Sequence, residues 1–275
     1  MNKIIFITGV SSGFGRELAK EAAIAGNTVI GTVRQQAQTA EVDAISPGNT
    51  FGYVLDVNDH DSVKEVISAV VNRFGRLDVV VNNAGYGLMG AVEETSMEEA
   101  RAQMETNFFG ALAVTQAVLP VMREAGQGHI VQFSSIAGLT GSPGLALYNA
   151  SKHALEGMSE ALYLEVKPLG IKVTIVEPGP FRTNWAGGSM HFTRQKIDAY
   201  NETSGKVIHM VNSISGAQPG DPVKGAQAVL KVIESADPPL RLLLGKSAIE
   251  RAKGKLEWVQ KDLDNWESVG LATDF

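Results

Sequence analysis

The sequence predicts an α/β fold: a doubly wound parallel sheet with helices on both faces, formed as a single domain over residues 1–275. Two observations predict it. Apolar runs of strand length alternate with longer segments of helical spacing, and a strand that is apolar on both sides belongs in a sheet covered on both faces. Glycine-rich or polar turns follow several of those runs, and the carboxyl ends of the strands are where an open α/β sheet gathers its ligands. At 275 residues with 44% hydrophobic content the chain can bury one sizeable core, and no linker, repeat or low-complexity tract divides it.

The elements follow in order. Residues 3–8 read as a buried strand, 9–15 as a glycine turn and 16–25 as a helix. Such glycines let the backbone approach a pyrophosphate, and the helix start offers free amides and a positive dipole end. The turn reads Thr-Gly-x-x-x-Gly-x-Gly, not Gly-x-Gly-x-x-Gly, and it lacks the Lys-Ser/Thr of a P-loop. A purely structural turn is the alternative. Further strands are expected at 28–33, 51–55, 77–81, 129–133, 171–176 and 241–244. Glu93, Glu94, Glu98 and Glu99 gather around Ser96, which reads as the cap of a solvated helix start.

Residues 184–220 carry Trp185, Met190, Phe192, Ile208 and Met210, punctuated by Gly187, Gly188, Gly205, Pro219 and Gly220. Two readings stand: a lid over a substrate, or apolar side chains that pack a helix on the core. A helical tail at 246–275, with helix-like spacing from Trp258 to Trp266, suits docking or a subunit contact.

The chemistry centres on Tyr148 and Lys152, four residues apart in a helix-like stretch, with Ser135 thirteen residues upstream of the tyrosine. An i, i+4 pair shares one helical face, so the ammonium is expected beside the phenol, lowering its pKa from about 10. A serine hydroxyl from a strand end then holds a carbonyl oxygen against that phenol during hydride transfer. Tyr163 and Lys167 repeat the spacing on the same expected helix, roughly 22 Å further along at 1.5 Å per residue. The position thirteen before Tyr163 is Ala150, which has no hydroxyl, and Pro168 marks the helix end. Tyr148 is therefore expected to take the catalytic role and Tyr163 to be solvated or packed.

Composition narrows the classes. The net charge of −6 argues against nucleic acid or an anionic membrane as the main partner. Without cysteine there is no disulfide framework, thiol nucleophile or zinc-thiolate site, which fits a cytoplasmic protein. His60, His129, His153, His191 and His209 show no ligand-like spacing, so no metal is expected. No apolar run approaches the ~20 residues of a membrane span.

Taken together, Thr8-Gly9-Val10-Ser11-Ser12-Gly13-Phe14-Gly15, Asp56-Val57, Asn82-Asn83-Ala84-Gly85, Asn107, Ser135, Tyr148 with Lys152, and Pro178-Gly179 followed by Thr183 resemble the short-chain dehydrogenase/reductases in their shorter form. The resemblance covers residues 3 to about 185 and implies a Rossmann-type sheet. It implies a catalytic tetrad of Asn107, Ser135, Tyr148 and Lys152. Asn107 would shape a proton relay, and Lys152 would hold the ribose and lower the tyrosine pKa. Gly9, Ser11, Ser12, Gly13 and Gly15 would cradle the cofactor phosphates. Asp56 and Val57 would flank its adenine, with Asn83, Ala84 and Gly85 along its side and Pro178, Gly179 and Thr183 at the nicotinamide.

Where relatives that prefer NAD carry an aspartate, this chain has Val33 followed by Arg34, which favours NADP(H); a solvated strand-end arginine is the other reading. Trp185, Met190 and Phe192 would meet the substrate. The branch resembled most is that of the hydroxysteroid dehydrogenases and carbonyl reductases, through Thr32-Val33-Arg34 and Gly85-Tyr86-Gly87-Leu88-Met89-Gly90. The expected activity is reversible, NADPH-dependent reduction of a small-molecule ketone or aldehyde by a homodimer or homotetramer. A sugar-nucleotide epimerase or dehydratase, and a non-catalytic NADP sensor or scaffold, are the alternatives.

Overall fold

The computed structural model describes residues 2–186 and 188–275. The strands are β1 (Ile4–Ile7), β2 (Thr28–Val33), β3 (Thr50–Val54), β4 (Val79–Asn82), β5 (Gly87–Met89), β6 (Gly128–Phe133), β7 (Ile171–Pro178), β8 (Met190–Phe192) and β9 (Arg241–Leu244). The helices are α1 (Gly13–Ile24), α2 (Thr39–Asp43), α3 (His60–Phe74), α4 (Met97–Met104), α5 (Gly110–Ala125), α6 (Ala146–Val166), α7 (Lys206–Ser213), α8 (Pro222–Glu234) and α9 (Lys246–Leu271). Seven strands form one parallel sheet in the order β3-β2-β1-β4-β6-β7-β9. The chain order reverses between β1 and β4, and a crevice opens beyond the strand ends at such a point.

Strand periodicity divides the core into two layers. Ile5 and Ile7 of β1 point to the face covered by Leu18, Ala19 and Ala22 of α1 and by Ala226, Val229 and Ile233 of α8. Phe6 between them points to the other face, against Val63, Ile67 and Val70 of α3, Val114 and Val118 of α5, and Leu162 and Val166 of α6. All these side chains are buried, so the strands carry apolar groups on both sides. The expected strands are present with ends shifted by one or two residues.

α6 is continuous from Ala146 to Val166 and ends in a single turn of 3₁₀ helix, Lys167–Leu169, that contains Pro168. Proline lacks the amide that another helical turn needs, which accounts for the stop.

The segment after β7 differs from a simple loop. β8 pairs in parallel with β5, Gly87 opposite Met190 and Met89 opposite Phe192, giving a second, two-stranded sheet. Gly187, expected in the lid, lies outside the described residues. α7 follows, with Met210 exposed.

The acidic cluster is corrected by the structure. Ser96 does cap α4, in a reciprocal box with Glu99. Glu98 and Glu99 do form the acidic first turn of α4, with Glu93 and Glu98 exposed, but the cluster is not wholly solvated. Glu94 is buried and accepts the backbone amides of Ala91 and Ile197, each at 2.8 Å. Glu99 accepts the amide of Arg194 at 3.0 Å, and Glu93 accepts the Tyr200 hydroxyl at 2.6 Å. Together these carboxylates fasten residues 194–200 to the connection between β5 and α4. Two backbone donors and the nearby Lys196 outweigh burial and hold the Glu94 carboxyl below its ordinary pKa.

Candidate active site

A cavity of about 1240 Å³ lies across the carboxyl ends of β1, β2, β4, β6 and β7. At one end is the glycine turn. Gly9 has φ +72°, a conformation that favours glycine, and a Cβ on Gly15 would stand 2.4 Å from the Gly9 carbonyl oxygen. The Asn83 amide occupies the space beneath, donating to the carbonyls of Thr8 and Gly9 at 2.9 Å each. Thus Asn83 spends its side chain on holding the turn, although it also lines the cavity. Ser12 stands at the N-cap of α1 without a side-chain cap, leaving the first amides of the helix toward the cavity.

Ser11, Ser12, Gly13, Arg34, Asp56, Val57, Ala84 and Gly85 line the cavity along one wall. Arg34 is exposed and makes no ion pair among the described residues. Asp56 is exposed and accepts the Asn58 amide at 3.0 Å. Pro178, Gly179 and Thr183 stand opposite the turn, with Thr183 packed 3.6 Å from where a Cβ of Gly13 would lie. A cradle that tolerates no Cβ beneath it, free helix-start amides and a cationic side chain at the far strand end fit a dinucleotide with phosphates. Gly15 lies under the turn instead of on the cavity wall.

Ser135, Tyr148 and Lys152 come together at the middle of the same cavity. Ser135 follows β6 in extended conformation and its Oγ accepts the Ala137 amide at 3.1 Å. The tyrosine is buried, its ring tilted against Trp185 with 5.3 Å between centroids. Burial pushes the phenol up to about 12, against a hydrogen bond from Ser135 that holds it down. The expected lowering of the phenol by Lys152 is therefore corrected. The ammonium lies 5.9 Å from the Tyr148 ring centroid and donates to the Phe133 carbonyl at 2.7 Å, so its charge is directed at the strand end and not at the phenol oxygen. Burial lowers Lys152 itself to about 8, and Glu156 one turn along α6 pulls it back up.

Asn107 is braced on both sides. Its amide nitrogen donates to the Tyr86 carbonyl at 3.0 Å and to Ser151 Oγ at 3.1 Å, and its oxygen accepts the Tyr86 amide at 3.0 Å. It sits in a turn of π-helix, Glu105–Phe109, between α4 and α5. Asn107 does not line the cavity; it ties the turn after β4 to the helix that carries Tyr148 and Lys152. Behind them lies a charge network. Glu156 accepts from Ser134 and, at 2.8 Å, from Arg241, which also pairs with the fully buried Glu177 and with Glu160. Burial and the neighbouring Glu156 push Glu177 up to about 7.

Among the described residues the side chains of Tyr163 and Lys167 bond only each other, at 3.2 Å, and Tyr163 packs on the core away from the cavity lining. Trp185 and Phe192 line the cavity, whereas Met190 is buried in β8 with its sulfur 3.0 Å from where a Cβ of Gly87 would lie. Leu145, Phe181, Val207, Gln218 and Arg251 also line it, none of them expected from the sequence. Arg251, from the start of α9, donates to Ser142 Oγ at 2.9 Å and to Thr140. No local motif marks these residues; they meet only because distant segments fold over the sheet edge.

The cavity thus holds a buried phenol, a serine hydroxyl and a buried ammonium beside a glycine turn that fits a dinucleotide. The family model described as short chain dehydrogenase matches residues 3–194. A 3-ketodihydrosphingosine reductase of Bacteroides thetaiotaomicron is 39% identical over 247 residues, covering 88% of each chain. A short-chain dehydrogenase crystal structure from Streptomyces avermitilis superposes with a TM-score of 0.93 at 43% identity, over 99% of this chain and 98% of that one. The NADP-bound structure of ElxO superposes at 0.75 with 28% identity, over 91% and 100%.

Proposed function

This chain belongs to the short-chain dehydrogenases, and from that membership we propose that it reduces a ketone or aldehyde to the alcohol, reversibly, with NADPH as hydride donor. The observation that carries the reading is the meeting of Ser135 and Tyr148 in the cavity that the glycine turn opens. When bound, the nicotinamide cofactor supplies or accepts the hydride.

The remaining chemistry belongs to the chain. Ser135 donates a hydrogen bond to the carbonyl oxygen and sets it against the phenol. A phenol raised to about 12 is protonated at neutral pH, so Tyr148 enters the reduction as an acid and passes its proton to the oxygen as negative charge develops there. The Lys152 ammonium, with its pKa near 8 mostly charged at neutral pH, is held at the strand end by the Phe133 carbonyl and from there would hold the ribose of the cofactor. Asn107 keeps Lys152 in line by bracing the turn beside it. Arg34 and the absence of a carboxylate at Val33 support NADP(H) over NAD(H) through charge-assisted bonds to a 2′-phosphate. Trp185 and Phe192 cover an apolar part of the cavity that suits a carbonyl compound with apolar bulk. The relative named for reducing a keto compound points the same way. We further propose a homo-oligomer in the cytoplasm; no helix among the described residues is long and apolar enough to cross a membrane.

The test is a panel of aliphatic, aryl and steroid ketones and aldehydes, with NADPH consumption followed by absorbance. Turnover of any of them by wild type and its loss in Tyr148→Phe supports the reading. Tight NADPH binding with no turnover across the panel speaks for a sensor or scaffold.

A further inference from the structure

We infer that α9 pairs antiparallel with α9 of a second copy of this chain, as a short two-stranded coiled coil. This rests on the homo-oligomer proposed above and names the surface that makes it. The helix has 26 residues, roughly 39 Å at 1.5 Å per residue. Ala248 is buried against the body and Arg251 reaches the cavity, but residues 256–271 are exposed throughout. Isolated helices of about 12–15 residues are marginal in water, and most helical stability comes from packing an apolar face.

Such a face is present and unmatched. Ile249, Ala252, Leu256, Val259, Leu263, Trp266 and Gly270 recur at alternating steps of three and four, the spacing of a coiled-coil seam. Leu256, Val259, Leu263 and Trp266 are 70%, 41%, 57% and 66% exposed. Trp258 lies off the seam, under the Lys255 ammonium at 4.3 Å from its ring.

Charge selects the occupant and its direction. The seam is flanked by Lys253 and Lys255 toward the start of the helix and by Asp262 and Glu267 toward its end. Antiparallel pairing places Leu256 against the partner's Trp266, Val259 against the partner's Leu263 and Ala252 against the partner's Gly270, so each large residue meets a smaller one. In that register Lys253 lies beside the partner's Glu267, twice by symmetry. A parallel pair would set Asp262 beside the partner's Glu267 instead. The antiparallel register does bring Asp262 near the two-fold axis and its own counterpart, one repulsion against two attractions. A membrane surface fits poorly, because residues 253–275 hold three lysines against five acidic residues.

Sedimentation velocity on the full chain tests this. Wild type should dimerise, and Leu263→Glu should raise the dissociation constant at least ~10-fold, while the melting temperature of the dilute monomer stays unchanged, since the side chain is exposed in one copy. Lys253→Glu should weaken the dimer, and adding Glu267→Lys should restore it. The chain has no cysteine, so mixing Leu256→Cys with Trp266→Cys should give crosslinks between the two variants and few within either. An oligomer indifferent to Leu263→Glu overturns the α9 assignment and leaves the homo-oligomer standing. A wild type monomeric at every concentration overturns both, and vesicle binding lost in Leu263→Glu would assign the face to a membrane.

Discussion

Glu94 holds the backbone amide of Ile197 at 2.8 Å, across 103 residues of sequence, from a carboxylate that is itself buried. The segment that lines the cavity from Trp185 to Arg194 is therefore tethered at its far end, while Trp185 at its near end lies on Tyr148. Removing the tether by Glu94→Ala should leave two backbone donors unmatched, at about 1–3 kcal/mol each at most. It should raise KM for bulky ketones with little change in kcat and speed proteolysis within 194–200. Trp185→Ala and Phe192→Ala should instead re-rank ketones by apolar bulk, by about 1–3 kcal/mol in discrimination, with NADPH affinity held. A loss of about 3–5 kcal/mol in stability with ranking unchanged would mean that these aromatics only pack the core.

The two tyrosine–lysine pairs give a clean contrast. Tyr148→Phe should lower kcat by at least ~10²-fold, within the usual range for general acid catalysis, while Tyr163→Phe should leave it nearly unchanged. Steady-state rates on one ketone decide it, and comparable losses in both variants would sink the assignment.

Cofactor preference should follow Val33 and Arg34. Wild type should show higher kcat/KM with NADPH than with NADH, and Val33→Asp with Arg34→Ala should reverse the order, because a carboxylate accepts from ribose hydroxyls and repels a 2′-phosphate. Equal or better use of NADH by wild type would make Arg34 a surface residue.

His129 supplies a pH dependence remote from the chemistry. Its ring is buried, with Nε2 3.0 Å from Thr174 Oγ1, and burial, then Lys172 and Lys3, depress its pKa to about 4. A base depressed in the folded state contributes stability that is complete above the unfolded value near 6.5 and is lost as pH falls through about 4. The loss amounts to about 3 kcal/mol at most. His129→Gln, which keeps a partner for Thr174, should flatten the fall in melting temperature between those pH values. An identical slope in the variant would place the titrating group elsewhere.

Much of the scaffold was legible because it obeys local rules. The seven sheet strands, the end of α6 at Pro168 and the capping role of Ser96 follow from apolar runs, the missing amide of proline and a serine three residues before a glutamate. The grouping of Ser135, Tyr148 and Lys152 at one strand edge follows from their positions after β6 and on α6. What escaped depends on contacts between distant segments. Nothing near Glu94 in sequence announces Ile197, and nothing in the first turns of α9 announces that Arg251 lines the cavity. The phenol misled for a different reason: helical spacing places Lys152 on the right face, but it does not reveal the Phe133 carbonyl that captures the ammonium.

The π-turn at Glu105–Phe109, between α4 and α5, holds one residue more than the α-helical ladder uses. Such turns are frequent at functional sites, where something local depends on the widening. Here that is Asn107, which the widened turn aims at Tyr86 and Ser151. Deleting Phe108 should let the two helices fuse and the protein fold with near-native circular dichroism, yet turnover should fall because the asparagine is rotated out of its brace. Turnover would then depend on how a single backbone turn is wound, two hydrogen bonds away from the cavity.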